Sequence, residues 1–336
     1  MTKLLVTGGA GFIGSNFIRY MLQKHPEYEV TNVDKLTYAG NLENLKDIEN
    51  SHQYDFIKGD IADRELVDKI FHQGFDVVVN FAAESHVDRS ILDSSPFIST
   101  NVQGVQVLLE GIKQKGIKLF IQVTTDEVYG SLGVTGKFTE ESPLLPNNPY
   151  AASKAAADCL CRAYYHTYGL PIIITRCSNN YGPFQFPEKF IPLVTTNTME
   201  GNEIPVYGDG LNIRDWIHVI DHCRALDLVI QQGKPGEIYN IGGNSEKANL
   251  EVVHHIMDIM GKPRSLITFV TDRLGHDRRY ALDTTKINLE LGWEPTIPFA
   301  DGLKDTIKWY TDNQSWWRKI KSGEYARYYQ RMYSQR

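Results

Sequence analysis

Lys3-Leu-Leu-Val-Thr7 is a short apolar strand that runs directly into Gly8-Gly-Ala-Gly-Phe-Ile-Gly14, and a helical pattern follows to about Lys24. A strand, a glycine turn and a helix in immediate succession leave few folds open, because together they form the opening unit of a doubly wound α/β sheet. Gly8 permits the tight turn, Gly11 lets a pyrophosphate approach the backbone, and Gly14 lets the helix lie close on the sheet. The free N–H groups at the helix start then face the phosphates. A second strand, Glu29–Val33, ends in Asp34, about 20 residues beyond Gly14, where an acid bonds both ribose hydroxyls and repels a 2′-phosphate. The expected cofactor is therefore NAD and not NADP.

The alternation of strand and helix continues. Tyr54–Lys58 leads into Gly59-Asp60-Ile61, and Asp76–Phe81 ends in the small Ala82-Ala83-Glu84-Ser85. A helical pattern covers about Ser95 to Lys115 and carries Thr100; Leu119–Thr124 and Pro171–Arg176 complete six strands. Such alternation implies one parallel Rossmann-type sheet covered by helices. Asp60 either reaches an adenine amino group or caps the helix that begins near Asp63. With 336 residues and roughly 150 residues per domain, two domains are expected. The NAD-binding domain spans 1–180 and is rejoined by about 215–245. A smaller α/β domain, mainly 181–336, binds substrate; the texture changes at Ser178-Asn-Asn-Tyr-Gly-Pro183.

Thr125-Asp126-Glu127 follows the strand Leu119–Thr124 at its carboxyl end, the edge where ligands bind in such sheets. Tyr150 and Lys154 sit four apart in a helix that starts at Pro149, so they share one face. A phenol is too weak an acid to act as a base at neutral pH, and a nearby ammonium favours the phenolate. A hydroxyl, two carboxyls, a phenol and an ammonium near one crevice form a set for proton chemistry.

A net charge of −6 and a pI near 5.9 argue against a nucleic-acid partner. Residues 316–336 are locally basic and aromatic, and a C-terminal helix packing its aromatics on the body is favoured there over RNA binding. Cys159, Cys161, Cys177 and Cys223 match neither a disulfide framework nor a zinc spacing. The N-terminal apolar run is too short for a signal peptide, and no stretch of about 18 apolar residues occurs. A cytoplasmic protein without a membrane partner is expected.

These residues resemble the extended short-chain dehydrogenase/reductase family, in which Gly-x-x-Gly-x-x-Gly and Tyr-x-x-x-Lys recur, and within it the nucleotide-sugar 4,6-dehydratases. The resemblance rests also on Ala82–Ser90, Thr125–Gly130, Ser178–Pro183, Ile213-Arg-Asp-Trp216 and Gly275-His-Asp-Arg-Arg-Tyr280. The Asp126-Glu127 pair is its most specific part, since the related epimerases lack both acids. Leu274 departs from the family, which usually has Pro there.

The resemblance implies that Tyr150, with Thr125 and Lys154, takes the proton of the sugar C4 hydroxyl during oxidation by NAD. Glu127 then removes the acidified C5 proton while a protonated Asp126 donates to the departing C6 hydroxyl, and C6 is finally reduced. It implies NAD contacts from Gly8, Gly11, Phe12, Ile13, Gly14, Asp34, Lys35, Leu36, Thr37, Asp60, Ile61, Phe81, Ala82, Ala83, Ser85, Thr100 and Asn180, with Tyr150 and Lys154. It assigns the sugar nucleotide to Ser85, Thr125, Asn179, Lys189, Phe190, Pro205, Tyr207, Arg214, Asn249, Asp272, Arg273 and His276. A homodimer, paired through the Tyr150 helix and the one before it, is implied as well.

Overall fold

Strands rich in Val, Ile and Leu need cover on both faces, and the parallel sheet of this chain supplies that environment. The computed structural model describes residues 2–322 together with Arg327 and Tyr329. In chain order, the first half contains β1 (Thr2–Thr7), α1 (Phe12–Lys24), β2 (Tyr28–Asp34), β3 (Tyr54–Lys58), α2 (Arg64–Phe71), β4 (Val77–Asn80) and α3 (Val87–Leu92). A continuous helical run follows, made of α4 (Ser95–Phe97), a π-helical stretch (Ile98–Gly104) and α5 (Val105–Lys115). Next come β5 (Leu119–Thr125), α6 (Pro149–Tyr168) and β6 (Ile172–Cys177).

The second half contains β7 (Asn179–Tyr181), α7 (Phe190–Glu200), β8 (Ile204–Tyr207), β9 (Ile213–His218), α8 (Val219–Gln232), β10 (Ile238–Ile241) and β11 (Glu246–Ala248). It closes with α9 (Asn249–Met260), β12 (Ile267–Val270), α10 (Thr285–Leu291), α11 (Phe299–Asp312) and α12 (Gln314–Lys321).

The main sheet has seven strands in the order β10-β6-β5-β4-β1-β2-β3, all parallel. The chain runs outward from β1 to β2 and β3, then returns to the other side of β1 as β4. The carboxyl ends of β1 and β4 therefore flank the switch point, where a crevice must open. One face of the sheet packs on α1, α8 and α10 through Phe17, Met21, Leu226 and Ile287; the other packs on α2, α5 and α6 through Val67, Leu108 and Cys161. The seventh strand, β10, comes from beyond the six that alternate in sequence, and pairs with β6 in the register Ile238↔Ile174.

Two small sheets, β11-β9-β7 and β12-β8, pack with α7, α9 and α11 around Trp216, Ile256 and Leu303. In α12, Trp316 and Trp317 are buried, and the Trp316 indole donates to Asn44 Oδ1 at 3.0 Å. Of the remaining tail aromatics, Tyr325, Tyr328 and Tyr333 lie outside the described residues. Among the described residues no helix is long and apolar enough to cross a membrane.

Candidate active site

The glycine turn is held by contacts that exclude any side chain. Gly8 has φ +69°, and a Cβ there would lie 2.5 Å from the Ala82 amide nitrogen; one on Gly14 would lie 2.5 Å from the Gly8 carbonyl oxygen. Gly11 is the N-cap of α1 and brings no side chain to its first amides, so these stay available to an anion. Gly8, Gly11, Phe12, Ile13 and Gly14 line an open-mouthed cavity of about 290 Å³ at the switch point.

Asp34 is fixed in the cavity wall. Its Oδ2 accepts from the Ala10 amide at 2.9 Å and its Oδ1 from the Leu36 amide at 2.8 Å. Each oxygen keeps a further lone pair for a ribose hydroxyl. Leu36 pays for this arrangement with φ +57° and does not itself line the cavity, so its part is to hold Asp34 through its backbone. Asp60 pairs with Lys35 at 2.6 Å and bonds the Ala62 amide, while the cap of α2 is Asp63. The cavity continues past Thr37, Ile61, Phe81, Ala82, Ala83, Ser85 and Thr100 to the far end of the crevice. A dinucleotide fits these walls: a side-chain-free phosphate cradle at the middle and an anchored acid to one side.

At the other end β5 delivers Thr125, and a short 3₁₀ turn, Asp126–Tyr129, follows at once. Thr125 Oγ1 caps that turn by accepting from the Glu127 amide at 3.3 Å and also donates to Asp126 Oδ1 at 3.2 Å. Asn148 caps α6 by accepting from the Ala151 amide at 2.9 Å, with Pro149 in the first helical turn. This brings Tyr150 and Lys154 to the same wall as Thr125, Asp126 and Glu127, with Asn179, Asn180 and Lys189 beside them. Asp126 Oδ2 and Glu127 Oε2 are buried and have no hydrogen-bond partner among the described residues. Orphaned carboxylate oxygens in a cavity wall are costly and mark a site for a ligand.

The electrostatics divide the groups. Burial, then the charges of Glu127 and Asp215, push the Asp126 carboxyl well above its ordinary range, against Arg214 and the Thr125 hydroxyl. A carboxyl shifted in this direction favours its protonated form. Burial and Glu127 also push the Tyr150 phenol up, with the Thr125 hydrogen bond opposing. The Lys154 ammonium donates to the Val123 carbonyl at 2.8 Å, and burial lowers its own pKa against support from Asp158.

The remaining expected substrate residues do not line the cavity. Arg214, Arg273, His276, Asp272 and Tyr207 form a group next to it: the Arg214 guanidinium lies 4.4 Å above the Tyr280 ring, and His276 bonds Asp272 at 2.6 Å. Arg273 and Arg214 add to burial in pulling His276 down to about 4, and Glu127 is among the charges that support Arg214. The Arg273 Nε is buried without a partner among the described residues. Phe190 stacks on Trp216, Pro205 of β8 pairs with Thr268 of β12, and the Asn249 amide bonds the Asn212 carbonyl, all away from the cavity wall. Leu274 is 75% exposed.

The polar and aromatic loop at 184–189, whose composition suits a pocket wall, brings Phe186 and Glu188 to the cavity, and Tyr38 and Cys177 line it without having been anticipated. Behind the wall, Asn101 in the π-helical stretch clamps the Glu84 backbone, its Oδ1 accepting from the amide at 2.9 Å and its Nδ2 donating to the carbonyl at 3.0 Å. Cys177 was within reach of sequence reasoning, since it ends β6 just before Ser178-Asn179-Asn180.

A family profile described as GDP-mannose 4,6 dehydratase matches residues 5–306. A dTDP-glucose 4,6-dehydratase of Streptomyces niveus is 51% identical over 96% of this chain and 97% of its own. The chain belongs to the dTDP-glucose 4,6-dehydratase family. Solved structures agree with that membership. The Bacillus anthracis member, in complex with NAD, superposes with a TM-score of 0.90 at 53% identity, covering 96% of this chain and all of that one. The Streptomyces venezuelae member, with NAD and dTDP bound, reaches 0.93 at 51% identity, over 95% of this chain and all of its own.

Proposed function

We propose that this chain is an NAD-dependent hydro-lyase that converts dTDP-glucose to dTDP-4-keto-6-deoxyglucose. The observation that carries this reading is the Asp126-Glu127 pair: adjacent, in one cavity wall with Tyr150 and Lys154, with burial and Glu127 raising the Asp126 carboxyl well above its ordinary range. An epimerase needs the phenol and the ammonium but no second proton-transfer pair.

NAD, when bound along Gly8–Gly14 and Asp34, supplies the two-electron oxidation at C4 and the matching reduction at C6. Tyr150 receives the C4 hydroxyl proton, with the Thr125 hydroxyl steadying the phenolate and Lys154 placing positive charge behind it. The ketone at C4 acidifies the C5 hydrogen, and Glu127 removes it. Asp126 delivers its proton to the C6 hydroxyl, which leaves as water, and as C6 is reduced Glu127 returns a solvent-exchanged proton to C5. Arg214, Arg273 and Lys189 supply the positive charge that a sugar-linked diphosphate needs, His276 a neutral imidazole beside them, and Asn179 and Ser85 hydrogen bonds to the sugar.

On this reading residues 1–180, joined by α8 and β10, form the cofactor-binding domain, and 181–336 mainly the nucleotide-sugar domain. The protein acts in the cytoplasm as a homodimer, with α5 and α6 as the pairing helices and without a nucleic-acid partner. Incubation with dTDP-glucose in D₂O, followed by mass spectrometry and NMR, tests the activity. Loss of one water, with solvent deuterium at C5 and the original C4 hydrogen at C6, is the expected result. Inversion at C4 without water loss overturns it in favour of an epimerase.

A further inference from the structure

Three chain segments meet over the cavity, and the reaction as proposed has a need that their meeting answers. The reducing equivalent taken from C4 must return to C6 of the same sugar after water has left. If the reduced cofactor escaped between these events, the chain would be left with a keto sugar and nothing to reduce it. The cofactor must therefore reside far longer than one turnover.

Tyr38 lies in the loop after β2, just beyond Asp34, and Glu188 and Phe186 lie in the loop before α7; all three line the cavity. Arg89, on α3, joins the two loops from behind. Its Nε and one terminal nitrogen donate to Glu188 Oε2 at 3.2 and 3.0 Å, and its guanidinium carbon lies 3.9 Å from the centre of the Tyr38 ring. The Tyr38 ring meets Phe186 edge-on, with centroids 5.5 Å apart. The Glu188 side chain is only 2% exposed and that of Arg89 27%.

A buried ion pair is poor evidence for a stabilising role, since desolvation offsets most of its attraction. What it does provide is geometric: parting the two loops means exposing Glu188 and breaking the cation–π contact together. Glu84, also in the cavity wall, adds its field to the same guanidinium, and Lys189 adds its charge to Glu188.

We propose that Tyr38, Arg89 and Glu188 form a retention clasp, which ties the loop following Asp34 to the loop preceding α7 and sets the rate at which the nucleotide leaves. This rests on the reading that NAD occupies the cavity. The clasp acts on residence and not on bond-making: none of its three side chains belongs to the proton-transfer set.

The experiment measures NAD release from the full-length protein, by dilution into an enzyme that destroys free NAD. Wild type is compared with Arg89→Ala, Arg89→Lys and Glu188→Gln. The expected result is release faster by about tenfold or more in Arg89→Ala and Glu188→Gln, with an intermediate rate in Arg89→Lys, which keeps a charge but loses the planar stack. During turnover with dTDP-glucose, reduced nucleotide should appear in the ultrafiltrate of the variants, and added NAD should restore their lost activity. A variant that folds with wild-type circular dichroism yet releases NAD at the wild-type rate overturns the clasp. If Arg89→Ala does not fold, Tyr38→Leu carries the same comparison. A wild-type protein that holds no NAD overturns the cofactor reading itself, and the clasp with it.

Discussion

The Lys154 ammonium donates to the Val123 carbonyl oxygen at 2.8 Å, from one turn of α6 across to the last buried stretch of β5. That bond fixes a cation inside the sheet edge, four residues from Tyr150. Asp158, a further turn along α6, supports the charge while its own Oδ2 accepts from Arg176 Nε at 2.8 Å. Replacing Lys154 with Met should lower kcat by about 10²- to 10⁴-fold, the range for lost acid–base assistance. Steady-state kinetics at saturating NAD check this.

Removing Asp158 is a different matter, because it strands two buried cations. Asp158→Ala should cost about 3 to 5 kcal/mol, the usual cost of breaking a buried pair from one side. Chemical denaturation of the NAD-free protein reads the loss directly.

Asp126 and Glu127 should separate the two halves of the reaction. Glu127→Gln is expected to oxidise C4, seen as transient NADH absorbance, and then to stop before water loss. Asp126→Asn should slow water loss by about 10²-fold or more. The same substitution should raise the melting temperature at neutral pH. The folded Asp126 carboxyl has a raised pKa, so the native state is favoured below the unfolded value and penalised as pH rises through the folded one. Asparagine removes that penalty. An unchanged or lower melting temperature would contradict the assignment of Asp126 as a buried neutral acid.

His222 sets an acid limit. Its Nδ1 bonds Asn180 Oδ1 at 3.0 Å, and burial lowers its pKa from 6.5 to about 3. Here the sign is opposite: stability is complete above the unfolded value near 6.5 and declines as pH falls toward about 3. Between pH 6.5 and 5 the loss from His222 is about 2 kcal/mol, and His222→Gln should make the slope shallower by that share, with His276, His86 and His218, also held below their ordinary range, contributing the rest. Melting temperatures across this pH range provide the check.

Gly8→Ala should weaken NAD binding by about tenfold or more and lower the melting temperature. Alanine at φ +69° costs about 1 to 2 kcal/mol, and the Ala82 backbone has no room to move. Calorimetric titration with NAD measures the effect.

What was legible in the sequence was local. Gly8 and Gly14 announce a turn because only glycine tolerates the approach of the neighbouring backbone there, and Asp34 follows at the distance one helix and one strand require. Tyr150 and Lys154 share a face through helical periodicity, and Asp126-Glu127 sits at a strand end marked by its apolar run. The π-helical stretch at Ile98–Gly104 left no mark, since it differs from an α-helix by a hydrogen-bond shift and not by composition. Leu36 in a left-handed conformation was equally hidden, because only its bond to Asp34 and the closeness of Gly40 impose it.

The sequence by itself determined the parallel sheet, the dinucleotide turn and the gathering of Thr125, Asp126, Glu127, Tyr150 and Lys154 at one sheet edge, because strand pattern, glycine spacing and helical period act over a few residues. Tertiary structure alone decided which charges face one another. Asp215 raises Asp126 from a strand that follows it by some distance in the chain, and Arg89 reaches Glu188 across 99 residues. It also turned Lys154 toward the Val123 carbonyl, and it left Phe190, Pro205 and Asn249 off the cavity wall. Burial is the physical reason: the field at a carboxyl depends on which groups share its low-dielectric surroundings, and only the folded chain settles that company.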